Sequence, residues 1–148
     1  PSGVRIDEIA DLREIAAEYE GFWERARGGY DVTIDRSPAF LRWRISENPH
    51  LSFRTWTVRR DGELLAVILG HRHKIGSASA LYVDDIIVGR YDDAAFDVAL
   101  RALETLDPEA ESIVVMTLAV DTPLHRVLRR RLPWQARALD RFGAKLFD

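Results

Sequence analysis

Two aspartates stand side by side in an otherwise apolar run, ASALYVDDIIV, residues 78–88. A carboxylate at a cleft can take a proton from a bound group and so act as a general base. Acids in an apolar strand are costly unless their charge is satisfied, so Asp84 and Asp85 are candidates for base chemistry. Successive strand residues face opposite sides, and one of the two is expected at any given cleft. The alternative reading is a strand-end carboxylate paired with an arginine or a backbone N–H.

Other residue types invite the same weighing. HRHK puts His71 and His73 on one face of a strand. Two imidazoles can share a metal, but a site needs a third ligand and supporting groups; a strand end emerging into solvent is the simpler reading, and no metal is expected. His125 lies on a late helix, where it could donate a proton or sit as a surface or cap residue. In SPAFLRWRISENPH a tryptophan stands between two arginines. Phe40, Leu41 and Trp43 are expected to pack that helix onto a sheet, with Arg42 and Arg44 at its edges near Asp35 or Glu47. A second role for Trp43 and Arg44 is contact with something anionic. The arginines of RVLRRRL wrap round their helix, which reads as a solvated face with cations near its C-terminus. A phosphate or carboxylate site is the sharper alternative there.

The elements that must carry these residues follow from periodicity. Val4 to Ile6 starts as a short strand. Apolar residues from Ile9 to Ala26 recur at steps of three and four, predicting a helix from Asp7 to about Arg27, with a break at Gly21. Ser37 caps a helix with Pro38 at its first position, and Asn48-Pro49 stops it. Phe53 to Arg60 alternates, Asp61-Gly62 is a hairpin signal, and Glu63 to Lys74 returns. Gly76-Ser77 turns again into a third strand, Ala78 to Val88. A helix from Asp92 to Leu106 and a strand from Ser112 to Leu118 follow, then a helix from Thr122-Pro123 to Pro133. Gln135 to Phe147 reads as a terminal strand pair. The crossover makes Ala78–Val88 and Ser112–Leu118 parallel neighbours. The expected fold class is α/β (α+β), a mixed central sheet flanked by helices.

Bulk properties bound the rest. At 148 residues the chain fits one domain, 1–148, with a core of its own. Its net charge of −3 comes from well-mixed acids and bases, which gives no global field for nucleic acid or an anionic membrane. There are no cysteines, so thiol chemistry and disulfides are excluded. No apolar run spans a bilayer and no signal peptide is visible, which fits a cytoplasmic protein. A start at Pro1-Ser2-Gly3 fits one module of a longer chain. P-loop and G-x-S-x-G patterns are absent.

This order of elements resembles the GNAT superfamily of N-acetyltransferases. FLRWRISENP is similar to the helix before that family's first long hairpin, FRTWTVRRDGELLAVILG to its central hairpin, LYVDDIIV to its fourth strand and TPLHRVLRRRLPW to its late helix. The resemblance implies a splayed parallel strand pair with acetyl-CoA in the opening. Backbone groups at Ile86, Ile87 and Val88 would hold the pantetheine arm, and the helix N-terminus after them would hold the pyrophosphate. Asp85, directly before that IIV, becomes the preferred base, with Asp84 the second candidate and His125 a candidate acid. The acceptor would be a small-molecule or peptide amine, met by Trp43 and Arg44.

The loop departs from the family's R/Q-x-x-G-x-G/A pattern. With Arg90 on its first position, Asp93 replaces the first glycine and Ala95 holds the second small position. Asp92 and Asp93 then stand where phosphates would arrive. The tyrosine that the family places on the late helix is replaced by Arg129. Two functions follow from the resemblance: an acyl-CoA-dependent N-acyltransferase with a degenerate pyrophosphate loop, or a non-catalytic module acting as a recognition or interaction lobe. A second GNAT module or a homodimer would be its partner.

Overall fold

Both residues of the Asp61-Gly62 turn have positive φ, 52° and 86°. That is the twist of a type I′ hairpin, which holds two strands in the right-handed coil of a sheet. In the computed structural model, which describes residues 3–30, 33–115 and 122–131 and only the backbone of Ile75, this hairpin joins β2 (Arg54–Arg60) to β3 (Glu63–Ile75). Gly76, with φ 64°, turns β3 into β4 (Ala78–Val88). β1 (Val4–Ile9) pairs antiparallel with β2, and β5 (Ser112–Val115) pairs parallel with β4, in the order β1-β2-β3-β4-β5. The parallel pair is the one the crossover predicted. Residues 116–118 and the suggested strands within 135–147 lie outside the described residues, as do Leu132, Pro133 and Trp134.

The helices sort to the two faces. α1 (Ala16–Ala26) and α2 (Pro38–Ile45) cover one face, where Tyr19, Phe22, Trp23 and Leu41 meet Val67, Leu69 and Ile87. α3 (Asp93–Leu106) and α4 (Pro123–Arg131) cover the other, where Phe96, Leu100, Leu103 and Val127 meet Ile68, Leu81, Val83, Ile86 and Val88. Among the described residues no helix is long and apolar enough to cross a membrane.

The structure corrects two expectations. The first helix does not begin at Asp7, because Val4 to Ile9 pairs along its whole length with β2, from Val4↔Arg60 to Ile9↔Thr55. Asp11 then starts a 3-10 turn over Leu12–Ile15. Its side chain accepts from Arg13 N at 2.8 Å, and Glu14 Oε1 accepts from Asp11 N at 3.0 Å. This reciprocal box stops the strand and begins the helical segment. The steps of three at Ile9, Leu12 and Ile15 belonged to a strand end and a 3-10 turn, and α1 runs straight through Gly21. The second correction concerns Trp43, which is 62% exposed. Leu41 and Ile45 share one face of α2, and Trp43, two positions from each, points away and rests on Phe40 at 5.6 Å.

Candidate functional site

The site is set by one irregularity in β4. Leu69 pairs with Asp85, but Gly70 pairs with Val83, so Asp84 has no partner on β3. This is a β-bulge, with two residues on one strand opposite one on the other. The inserted residue shifts the alternation. Leu81 and Val83 face α3, and so do Ile86 and Val88 beyond the bulge. Asp84 and Asp85 therefore share the other side of the strand, that of Leu69 and Ile87, and both line one cleft. The strict alternation expected from sequence is corrected here. Gly70 is required opposite the bulge, because a Cβ there would lie 2.6 Å from the Tyr82 carbonyl oxygen.

The cleft has a volume of ≈ 460 Å³. Its walls are residues 83–86 of β4, Val115 at the end of β5, Phe96 on α3, Leu124 on α4, and Tyr30, Thr33, Ile34 and Arg36. Among the described residues the β4–β5 pairing ends at Val83↔Val115. From Asp85 to Val88, β4 thus has a described partner on its β3 side alone.

Each carboxylate has a different partner. Both Asp85 oxygens accept from Arg36, from Nε at 2.7 Å and Nη2 at 3.1 Å. The pair is mostly buried, with side chains 15% and 9% exposed. Arg36 also donates to Thr33 Oγ1 and lies over the Tyr30 ring at 5.6 Å. Tyr19 holds the segment by donating its hydroxyl to the Arg36 carbonyl at 2.8 Å. Asp84 Oδ2 lies 2.7 Å from His71 Nδ1. Burial pushes the Tyr30 phenol up, against the pull of Arg36, so it stays a neutral hydroxyl at ordinary pH.

The corner at the start of α3 carries charges of its own. Asp92 caps the helix, accepting from Ala95 N at 2.9 Å, and its other oxygen meets Arg90 at 3.1 Å. Asp93 bonds Arg126 at 2.7 Å and Arg130 at 2.9 Å. The Arg126 hydrogen bond, joined by that of Arg130, holds the Asp93 carboxyl below its ordinary range. A helix N-terminus attracts anions through its open N–H groups, and here a carboxylate of the chain already fills that place.

The other expected residues distribute as follows. Ile86, Ile87 and Val88 bury their side chains, so only their backbone is available to a ligand. Arg90 is exposed and Ala95 half-buried. The backbone N–H of His125 donates to Thr122 Oγ1 at 3.1 Å, and His125 is not among the residues lining the cleft. Trp43 and Arg44 do not line it either. Sequence reasoning missed Arg36, Tyr30 and Tyr91 as cleft residues. Arg36 is 49 positions from Asp85, and no local signal joins them. Among the described residues no group of three or more His, Cys, Asp or Glu is arranged to hold a metal.

No family model and no curated protein sequence matches the chain. Solved structures do. A ribosomal-protein-alanine N-acetyltransferase from Brucella melitensis biovar Abortus 2308 superposes with a TM-score of 0.59 at 16% identity, covering 86% of this chain and 89% of that one. A probable acetyltransferase superposes at 0.53 and 17% identity, over 86% and 87%. The third is a GCN5-related glucosamine N-acetyltransferase region of a fungal multi-domain GH3 beta-N-acetylglucosaminidase. It superposes at 0.52 and 12% identity, over 80% of this chain and 14% of that one.

The chain has the GNAT fold. The cleft is built on the mixed sheet, the parallel β4–β5 pair and the bulge beside it.

Proposed function

We propose that the chain is an N-acyltransferase domain that moves an acyl group from an acyl-CoA to a primary amine. The observation that carries this reading is the bulge, which turns two carboxylates into a cleft where β4 passes the end of its described pairing with β5. An extended acyl donor fits the backbone edge at Ile86–Val88, whose side chains are all directed into the cores. The amine must lose a proton before it attacks the thioester carbonyl, and a carboxylate-based group at the bulge supports that step. Asp85 was the preferred base. Both its oxygens already accept from Arg36, so protonating it would displace one of those hydrogen bonds. Asp84 instead meets the imidazole of His71 at 2.7 Å.

The diphosphate corner fits less well. Asp92 occupies the Ala95 N–H, and Asp93 adds a second negative charge. This favours weak donor binding, and it also supports a second reading, a GNAT-like lobe that recognises a partner without catalysis.

Thermal melting with acetyl-CoA separates the two. Saturation at about 100 times the dissociation constant stabilises a fold by about 2.7 kcal/mol. Asp93→Gly removes one negative charge from the corner while Arg126 and Arg130 remain, so its shift should be larger at equal ligand. No shift at millimolar acetyl-CoA leaves the non-catalytic reading, and a smaller shift in the variant contradicts this account of the corner.

A further inference from the structure

The contact between Asp84 and His71 runs from the lining of the cleft to the lining of a second opening. Asp84 lines the cleft; His71, on the neighbouring strand, lines a cavity of ≈ 630 Å³ between residues 50–54 and residues 71–73. The two side chains meet at 2.7 Å, and both are mostly buried, 14% and 15% exposed. A carboxylate at that distance from Nδ1 accepts its hydrogen and so fixes the tautomer, which leaves the lone pair on Nε2. Packing holds the ring as well: Tyr82 stacks on it at 5.5 Å, and Phe53 and His73 meet it edge-on at 6.0 and 6.5 Å.

The neighbouring charges are already compensated. Arg54 pairs with Glu8 and Asp107, and Arg72 pairs with Asp107 and Glu109. The imidazoles of His50, His71 and His73 are the remaining titratable groups of this opening. Of these, His71 has the carboxylate partner among the described residues.

We propose that His71 is the general base of the acyl transfer, that Asp84 positions it, and that the amine acceptor enters by this second opening. The proposal rests on the acyltransferase reading and names its base and its acceptor entrance. The ammonium gives one proton to His71 Nε2, while Nδ1–H stays on Asp84. The freed nitrogen pair forms the C–N bond at the thioester carbonyl, and the C–S bond breaks with its pair on sulfur. The thiolate takes the second proton from the new amide nitrogen. His71 then returns its proton to solvent through the opening. An ammonium and a thioester thus become an amide, a thiol and a released proton.

The test uses the full chain with acetyl-CoA and benzylamine, following thiol release from pH 5 to 9. His71→Gln is expected to lower turnover by about 10²- to 10⁴-fold. It should lose the histidine limb of the profile and keep the parent's acetyl-CoA melting shift. Asp84→Asn should displace that limb, and added imidazole should restore turnover to His71→Gly. If His71→Gln turns over like the parent, or the Asp84→Asn profile is unmoved, the proposal is overturned while the acyltransferase reading stands. A parent that binds no acetyl-CoA overturns both. A parent that binds it but transfers nothing at any pH removes the base assignment.

Discussion

Arg36 and Asp85 show how one contact decides a residue's role. Asp85 lines the cleft, and both its oxygens are held by a guanidinium from a distant loop. Removing one partner of a buried pair leaves the other charged and uncompensated, at a cost of about 3–5 kcal/mol. Arg36→Ala is therefore expected to unfold several kcal/mol more easily in urea, whereas Arg36→Met with Asp85→Met together should recover most of the loss. If the single variant is as stable as the parent, the pair does not hold the loop. The sequence left Asp85 with two readings, base or arginine partner, and no residue near it in the chain could choose between them.

At the scale of elements, the bulge in β4 matters most. Its alternation rule was legible in the sequence, but its exception was not. Nothing in LYVDDIIV marks Asp84 as the inserted residue, because a bulge is a property of two paired strands. The signal that could have found it is Gly70 on β3, the one position where the opposing carbonyl leaves no room for a Cβ. Gly70→Ala should force the backbones apart, lowering stability by about 1–3 kcal/mol as overpacking does. It should also weaken the Asp84–His71 contact. Urea denaturation checks the first effect and the histidine NMR signals check the second. An alanine variant with parental stability and parental signals would show that the bulge does not depend on glycine. The helix of residues 38–45 makes a similar point. Its cap and its proline are readable, but with eight residues its buried face is narrow, and Trp43 falls outside it.

Across the whole molecule, Asp107 ties the end of α3 to the sheet. Its side chain is 2% exposed and meets Arg54 of β2 at 2.8 Å and Arg72 of β3 at 2.5 Å, while Arg54 also holds Glu8 of β1 at 2.7 Å. The Arg72 hydrogen bond, followed by the charges of Arg54 and Arg72, holds the Asp107 carboxyl below its ordinary value of 3.8. A carboxyl with a depressed folded pKa binds fewer protons folded than unfolded. Its contribution is complete above the unfolded value and is lost as pH falls through the folded one. Stability measured in urea should therefore decline below about pH 4. Asp107→Asn should cost about 2–3 kcal/mol at pH 7, less than for a fully buried pair because Arg72 is 38% exposed. The variant should also flatten the acid slope, and an unchanged slope would assign acid sensitivity to other groups.

Local pattern was enough for the meander, its two turns, the capped α3 helix and the parallel neighbour of β4, because hairpins, caps and amphipathic stripes are read from residues close in sequence. The same pattern carried the GNAT resemblance. Tertiary structure alone decided what the carboxylates touch. The bulge, the arginine on Asp85 and the imidazole on Asp84 come from segments 13 to 49 positions away, and only folding brings them within hydrogen-bond distance.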